Sequence, residues 1–189
     1  MFRYLVLLVL WVVAMSCMAT EPLNGLPQPD YAPQATDPAW LARVGQFHGH
    51  LGPWVVAGAR FGMAGRRAVG AKGYFDIEVT CEGPFAHPPQ ACFLDGLQVT
   101  TGATLGKRTL RWVEAQQIAV RLKNTRTGKA VTLRPTDGLL GLLQSDRPDR
   151  KGAATDATGQ KARYASLESG ARTIASMPDE STITAQPGQ

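Results

Sequence analysis

Residues 47–53 of the chain read Phe-His-Gly-His-Leu-Gly-Pro, and this stretch separates two helical segments. The shorter segment, 39–44, leads into it. Pro53 suits the first position of the longer segment, because the first helical turn leaves its N–H groups unbonded in any case. Residues 54–68 carry apolar side chains at helical spacing, and Gly70 is a suitable stop. The longer helix is glycine-rich on one side. This predicts close packing against a neighbouring element, since each helix glycine costs about 1 kcal/mol relative to alanine.

The rest of the sequence alternates single strands with helices. Residues 74–80 alternate and contain β-branched side chains, so they predict a strand. Residues 91–101 read as a helix that ends at Gly102. We therefore predict one α+β domain over residues 39–178, with a mixed or antiparallel sheet packed with helices. The other predicted elements are one or two strands within 110–123, a hairpin turn at 124–128, a strand at 130–134, and helices at 137–144 and 161–176.

The N-terminus has the layout of a secretory signal. A positive start is followed by the apolar run 4–14 and then by small residues. The run is short for a membrane span, which needs about 20 apolar residues. Cys17 offers an alternative, a lipoprotein processing site at which it would be lipidated. We predict that the protein is exported, either to the periplasm or as a membrane-anchored lipoprotein that faces the periplasm. The predicted terminal segments are a signal peptide at 1–19, a Pro-rich tether at 20–38 and a tail at 179–189.

Composition and charge limit the classes of protein. The chain has 189 residues, 44% of them hydrophobic, which suits one ordinary globular domain. The net charge is +5, but the basic residues are scattered and no aromatic residues alternate with them. A nucleic-acid-binding surface would show clustering, so no nucleic-acid partner is predicted. A membrane is expected to be contacted only through the signal or a lipid anchor.

All three histidines, and both cysteines outside the leader, fall within one short part of the chain. An extended backbone would put His48 and His50 on one side, because strand side chains alternate with period two. Cys92 and Asp95 are three apart at the start of a predicted helix, so both can face one cleft. Imidazole and thiolate are ligands that zinc and similar ions prefer. We therefore predict a divalent transition metal, with zinc the best fit, or a metal-containing cofactor, bound by His48, His50, Cys92 and Asp95.

Structural alternatives exist for the same residues. In an oxidising compartment Cys81 and Cys92 can form a disulfide that closes a Pro-rich loop. Cys92 can also be a small buried side chain, and Asp95 a first-turn acid favoured by the helix dipole. His87 lies beside two prolines and is the least suited of the three imidazoles to bind metal.

Two motifs in this order resemble those of the FmdE-like proteins, a family related to formylmethanofuran dehydrogenase. The first is 47–53, followed by the Gly- and Ala-rich helix with Arg60. The second, over 92–107, reads Cys-x-x-Asp-Gly-Leu-Gln-x-x-Thr-Gly-x-Thr-x-Gly-Lys, and the hairpin at 124–131 also fits. The resemblance spans residues 43–134. It implies an α+β domain, commonly a homodimer, with a cleft where the His-Gly-His residues and cysteines meet and metal has been inferred.

The resemblance also supplies further candidates and shows departures from the family. Gly52 and Ala103 stand where the family usually has cysteine, and the tail lacks the cysteines of the zinc-ribbon domain that some members add. Losing thiolates shifts a site toward imidazole-type binding. The second motif yields four predicted cofactor-binding residues: Gln98, Thr101, Thr104 and Lys107.

Several functions are compatible with these residues. The leading one is an exported protein that binds a metal or a metal-containing cofactor. An alternative is an enzyme whose metal activates water, with Asp95 as base and Lys107 holding a small anionic substrate. Haem is a further alternative, because one histidine can serve as an axial ligand. The last is a metal-free family member that acts through partner contacts. Whether the protein is an enzyme is left open.

Overall fold

The computed structural model describes residues 25–145 and 157–188. Within these ranges the chain forms an α+β domain around one five-stranded mixed sheet, which confirms the predicted fold class. The first helices are α1 (Ala39–His48) and α2 (Pro53–Val69). The remaining elements follow in the order β1 (Ile77–Gly83), α3 (Cys92–Thr101), β2 (Leu110–Glu114), β3 (Ala119–Asn124), β4 (Ala130–Pro135), α4 (Asp137–Ser145), α5 (Ala157–Ser176), α6 (Asp179–Thr182) and β5 (Ile183–Pro187).

The sheet has the strand order β2-β1-β3-β4-β5. The pair β1–β2 is parallel, and the other neighbours are antiparallel. Along β1 the side chains of Ile77, Val79 and Cys81 are buried, whereas those of Glu78 and Glu82 are exposed. This alternation means that one face of the sheet packs on helices and the other faces solvent.

Helix α2 lies at the centre of the domain, where it contacts α3, α5 and strands β3 and β4. Its backbone approaches that of α3 closely. A Cβ added at Gly58 would stand 1.9 Å from the Phe93 carbonyl oxygen, and one at Gly96 would stand 2.0 Å from the Val55 carbonyl oxygen. No side chain fits at either position, so the close packing predicted from the glycine-rich helix is present. Because α1 also contacts α3, the end of α1 meets the first turn of α3.

Strand β1 begins three residues later than the sequence predicts. Residues 74–76 form a turn instead, because the Asp76 carboxylate accepts hydrogen bonds from the backbone N–H groups of Lys72 (2.9 Å) and Gly73 (2.8 Å). Tyr74 adopts a positive φ of 66°, which takes it out of strand geometry. The β-branched pattern therefore predicted the strand correctly but not its start.

The domain continues past residue 178, where the sequence predicts a tail. Strand β5 pairs antiparallel with β4 and forms one edge of the sheet. Just before it, the Asp179 carboxylate accepts hydrogen bonds from Arg60 and Arg67 of α2. This short segment lacked a recognisable strand pattern, since its place in the sheet depends on pairing with β4.

The described part of the predicted tether, residues 25–38, is held on the domain. The Tyr31 ring packs on Gly45, where an added Cβ would stand 2.4 Å from it. Asp37 accepts two hydrogen bonds from Arg172 of α5, at 2.9 and 3.0 Å. The predicted signal, with Cys17, lies outside the described residues. Among the helices of the described ranges, none is both long and apolar enough to cross a membrane.

Candidate functional site

The two histidines of the opening motif lie side by side at the end of α1. The helix runs through His48 rather than ending near residue 44, and Gly49 ends it with a left-handed φ of 91°. The Gly49 N–H bonds to the carbonyl of Gly45 at 2.9 Å. Glycine adopts this conformation at little steric cost. The ring centroids of His48 and His50 are 4.8 Å apart. The predicted proximity is therefore present, but a helix end produces it, not an extended backbone.

Asp95 holds His48 in place. The Nδ1 atom of His48 lies 2.8 Å from the Oδ2 atom of Asp95, in the first turn of α3. The other carboxylate oxygen, Oδ1, accepts a hydrogen bond from the Gln98 side-chain amide at 3.3 Å. Gln98 in turn accepts a hydrogen bond from the Leu105 N–H at 3.3 Å. A chain of hydrogen bonds thus runs from the end of α3 through Gln98 and Asp95 to His48.

The second ring nitrogen of His48 is buried and unpaired. Its Nε2 atom has no hydrogen-bond partner, and the His48 side chain is only 10% exposed. Leaving a buried polar group unsatisfied costs about 1–3 kcal/mol. Such an atom requires an explanation, and a ligand bound through it is one.

The two imidazoles have different charge states. Burial lowers the pKa of His48, but the hydrogen bond with Asp95 and the nearby Cys92 thiol outweigh it and raise the pKa to about 9. Burial, followed by the charge of His48, lowers the pKa of His50. At neutral pH the pair is therefore one imidazolium and one neutral imidazole. A metal that binds His48 through Nε2 has to displace one proton.

Cys81 and Cys92 are both free, so the alternative disulfide between them is not present in the structure. Cys81 points into the core from β1, where burial raises the pKa of its thiol. Cys92 is half-buried at the first residue of α3. Its thiol is close enough to His48 to raise the pKa of the imidazole, although it is not placed to hydrogen-bond with Nε2. Cys92 is therefore the cysteine that belongs to the site.

Helix α5 contributes a residue that the sequence did not indicate as functional. The ring of Tyr164 lies 5.2 Å from that of His50, centroid to centroid. The charges of Arg163, Asp30 and Glu168 also reach His50 and affect its pKa. The sequence placed Tyr164 on the apolar side of the last long helix, and no spacing linked it to the distant histidines. Tyr164 and the segment that contains Asp30 therefore border the histidines on the side of α5.

The other candidates from the second motif lie elsewhere. The Thr101 hydroxyl is buried, where it donates to the Leu97 carbonyl and accepts from the Ala103 N–H. The Thr104 hydroxyl accepts a hydrogen bond from the Lys107 N–H within a turn. Thr101 and Thr104 thus have structural contacts and are not brought to His48.

Lys107 lies at the opposite end of α3 from Asp95. Its ammonium group donates hydrogen bonds to the carbonyls of Gly102 and Tyr74, and it stands over the Tyr74 ring at 5.4 Å from the centroid. Gly102 lies seven positions after Asp95 along α3, which is about 10 Å along the axis. The structure does not bring Lys107 to the histidines. His87 is exposed in the loop before α3.

The candidate ligands do not make a complete metal site by themselves. Within residues 25–145 and 157–188, no three His, Cys, Asp or Glu side chains are grouped so that they could hold a metal ion together. Asp95 directs one oxygen to His48 and the other to Gln98, so both of its carboxylate oxygens have partners within the protein. The donors that remain near one another are the imidazoles of His48 and His50 and the thiol of Cys92.

Comparison with known proteins then identifies the family. The family described as "FmdE, Molybdenum formylmethanofuran dehydrogenase operon" matches residues 47–184, from the His-Gly-His motif into β5. The chain belongs to the FmdE family. Its match begins one residue before His48 and includes Cys92, Asp95 and Tyr164. The resemblance seen in the sequence is therefore confirmed and extends beyond residue 134.

Two similar proteins place this FmdE-family chain among its relatives. A probable S-adenosyl-L-methionine-binding protein of Archaeoglobus fulgidus is 28% identical over 99 residues, which cover 52% of this chain and 27% of that protein. The chain thus spans about a quarter of the length of that curated relative. The crystal structure of a tungsten formylmethanofuran dehydrogenase FmdE-like protein from Syntrophus aciditrophicus matches with a TM-score of 0.47 and 17% identity. That match covers 79% of this chain and 71% of the other.

Proposed function

We propose that this FmdE-family protein is exported and binds a divalent metal ion, zinc the best fit, or a metal-containing ligand. His48 Nε2 and the Cys92 thiol would be the central donors. The observation that carries the proposal is the state of His48: Asp95 takes Nδ1 at 2.8 Å, whereas Nε2 is buried without a partner. Metal-binding histidines almost always donate their other N–H to a carboxylate, a carbonyl or water, which fixes the tautomer.

The charges and donor types fit this assignment in part. Imidazole and thiolate suit zinc and other borderline-soft ions. His50 supports the proposal because its lowered pKa keeps it neutral, the form in which an imidazole binds metal. Since the described side chains do not form a complete three-donor set, further donors would come from the bound ligand. We also propose the homodimer that the family resemblance implies, which light scattering would test.

Metal analysis of the full chain tests the proposal. We expect about one equivalent of zinc in the wild type and none in the His48→Ala, His50→Ala double variant, because structural zinc affinity depends on these donors. His87→Ala is the matched control, since His87 is the third histidine of the chain and its side chain is exposed. A full equivalent retained in the double variant would refute the assignment. A visible absorption band in protein from haem-replete cells would identify haem as the ligand instead.

Export is the second part of the proposal and is tested separately. It rests on residues 1–19, whose apolar run and small residues have the layout of a signal. Cell fractionation with N-terminal sequencing should find a processed chain outside the cytoplasm. Labelled palmitate incorporated by the wild type and not by Cys17→Ser would identify the lipoprotein form. An unprocessed cytoplasmic chain would contradict export.

A thiol-dependent enzyme is a second candidate function, and a specific arrangement favours it. The Asp95 carboxylate hydrogen-bonds to the His48 imidazole, and the Cys92 thiol lies near that imidazole, so the three residue types of an orienting acid, a base and a nucleophile are close together. The alternative that used Asp95 as base and Lys107 as anion holder gains no such support, because the two lie at opposite ends of α3.

Alkylation by iodoacetamide distinguishes this candidate. The Cys92 sulfur would form a bond to the acetamide carbon as iodide leaves, and the reaction would be fast at neutral pH. His48→Ala should slow it, whereas His87→Ala should not. Rapid alkylation that is blocked by zinc would show that the Cys92 thiol is both the metal donor and the nucleophile. Alkylation no faster than that of a free thiol peptide would remove the enzyme candidate and leave metal binding untouched.

A further inference from the structure

A second surface, beyond the far end of α3 from His48, exposes a group of large apolar side chains. Phe75 is 80% exposed, Tyr74 59% and Leu105 52%. Single exposed apolar side chains are common on proteins. These three belong to two adjoining turns that Lys107 joins, because its ammonium donates to the Tyr74 carbonyl and lies 5.0 Å from the centroid of the Phe75 ring.

The exposure of these rings is built into the backbone. The Tyr74 N–H donates to the Thr101 carbonyl at 2.8 Å, and the residue has a φ of 66°. A positive φ is strained for an aromatic residue, and it persists only where the surrounding structure holds it. Here the Asp76 carboxylate fixes the turn by accepting the N–H groups of Lys72 and Gly73. The turn therefore presents the rings to solvent instead of folding them inward.

The exposed charged side chains of these two turns have one sign. Lys72 and Arg108 are exposed, and Lys107 lies over the rings. Asp76, the only acid within residues 71–76 and 104–109, is buried with 4% exposure and hydrogen-bonded. The exposed apolar side chains and the cations of these two adjoining turns thus form one patch. We call it the basic-aromatic surface, and it consists of Lys72, Tyr74, Phe75, Leu105, Lys107 and Arg108.

We propose that the basic-aromatic surface docks on a membrane of anionic phospholipid, with Phe75 entering the layer between headgroups and acyl chains. Aromatic side chains favour that layer, and lysine and arginine reach from it to phosphate groups. Each cation near an anionic leaflet is attracted to it, and burial of the apolar rings adds to that attraction. The cations of the surface match the anionic phosphate groups of such a membrane, and the apolar rings match the layer between its headgroups and acyl chains.

A second copy of the chain fits the surface less well. A two-fold pairing would bring the same patch against itself. Lys72, Lys107 and Arg108 would then face their own copies, and like charges in contact repel. An anionic lipid surface meets the same cations with the opposite charge. Because the surface lies away from His48, neither metal binding nor export enters this inference.

Tryptophan quenching by brominated lipids tests contact at the site itself. Phe75→Trp in the full chain is mixed with vesicles of phosphatidylcholine and phosphatidylglycerol whose acyl chains carry bromine. Leu26→Trp is the control, since Leu26 is 58% exposed and belongs to the N-terminal segment. We expect the brominated lipids to quench the fluorescence that Phe75→Trp adds to that of the wild type. They should not quench the fluorescence that Leu26→Trp adds. Binding through the leader alone would quench position 26 at least as strongly as position 75, so it would not produce the expected difference.

Vesicle sedimentation provides the second measurement. Phe75→Ser should weaken partition to the anionic vesicles about 10-fold, because a phenyl ring loses its burial. Lys72→Glu should also weaken it, and so should 1 M salt, which shortens the screening length from about 10 Å at 0.1 M to about 3 Å. Vesicles of phosphatidylcholine alone should bind all the variants equally weakly.

Three outcomes would overturn the proposal. Quenching at position 75 that equals that at position 26 would show that the rings do not enter the lipid. Unchanged partition of Phe75→Ser and Lys72→Glu would assign the surface to another partner, such as an acidic protein. A dimer that Phe75→Ser dissociates in the absence of lipid would assign the surface to a second copy.

Discussion

The two ends of α3 carry one continuous motif in the sequence, yet they differ in what their polar groups do. At the N-terminal end, Asp95 holds His48, and the Nε2 atom of that ring is buried without a partner. At the C-terminal end, Lys107 bonds to the Gly102 carbonyl and its neighbours complete a turn. At the N-terminal end the Nε2 atom of His48 is unpaired, whereas at the C-terminal end the polar groups are engaged in structural contacts. We therefore propose that the binding chemistry belongs to the N-terminal end, although the sequence suggested both.

The largest effect is expected from separating α3 from α2, because both ends depend on that contact. A Cβ at Gly96 would stand 2.0 Å from the Val55 carbonyl oxygen and 2.4 Å from the Ala59 nitrogen. Overpacking of this kind costs about 1–3 kcal/mol, and we expect Gly96→Ala to lie at the upper end because both obstacles are backbone atoms. Urea denaturation measures it. Gly106→Ala, where an added Cβ meets nothing within 4 Å, should leave stability unchanged.

The pH dependence of stability should report the N-terminal end alone. The pKa of His48 is raised to about 9 in the folded protein from its ordinary 6.5. A raised pKa stabilises the fold fully below the unfolded value, and the contribution is lost as the pH rises through the folded value. The free energy of unfolding of metal-free protein should therefore fall between pH 6.5 and 9, by about 3 kcal/mol at most. A His48→Gln variant should show a flatter profile over that window. Equal slopes would contradict the His48–Asp95 pairing.

Asp95→Asn sharpens the comparison by keeping the shape of the side chain and removing its charge. The hydrogen bond that orients a metal-binding histidine is worth about 10–100-fold in affinity, so we expect zinc affinity to fall by that factor. The pKa of His48 should fall as well, since Asp95 helps to raise it. Competition with a chelator measures the first effect, and NMR titration the second. Unchanged affinity would mean that Asp95 does not orient the ligand.

Lys107→Met tests the C-terminal end and should have the smallest effect. The ammonium group interacts with the last carbonyl groups of α3, an interaction worth about 1 kcal/mol. We expect a small loss of stability in thermal denaturation and no change in zinc affinity. A loss of affinity comparable to that of Asp95→Asn would place Lys107 in the site and remove the difference between the two ends.

Much of the fold follows from local signals in the sequence. Pro53 begins α2, and glycines at 70, 102 and 128 adopt the positive φ expected of stops and turns. The two predictions that failed have different causes. β5 exists because β4 offers it an edge, and β1 starts late because Asp76 binds the preceding turn.

Only the residues of the candidate site that lie within the two sequence motifs could be predicted. His48 and His50 form one short-range pair, and Cys92 and Asp95 form another. The packing of α1 on α3 brings the two pairs together. Tyr164 could not be found from spacing, because α5 returns to His50 only through tertiary packing. Lys107 belongs to the same local motif as Asp95, yet its contacts are with the other end of the helix.

X-ray absorption at the zinc edge of the loaded protein tests the central claim most directly. We expect one sulfur ligand at about 2.3 Å together with imidazole nitrogen at about 2.0 Å. The sulfur should disappear in Cys92→Ser, and the imidazole signal should weaken in His48→Ala. A spectrum with sulfur unchanged in Cys92→Ser, or with imidazole unchanged in His48→Ala, would contradict the claim.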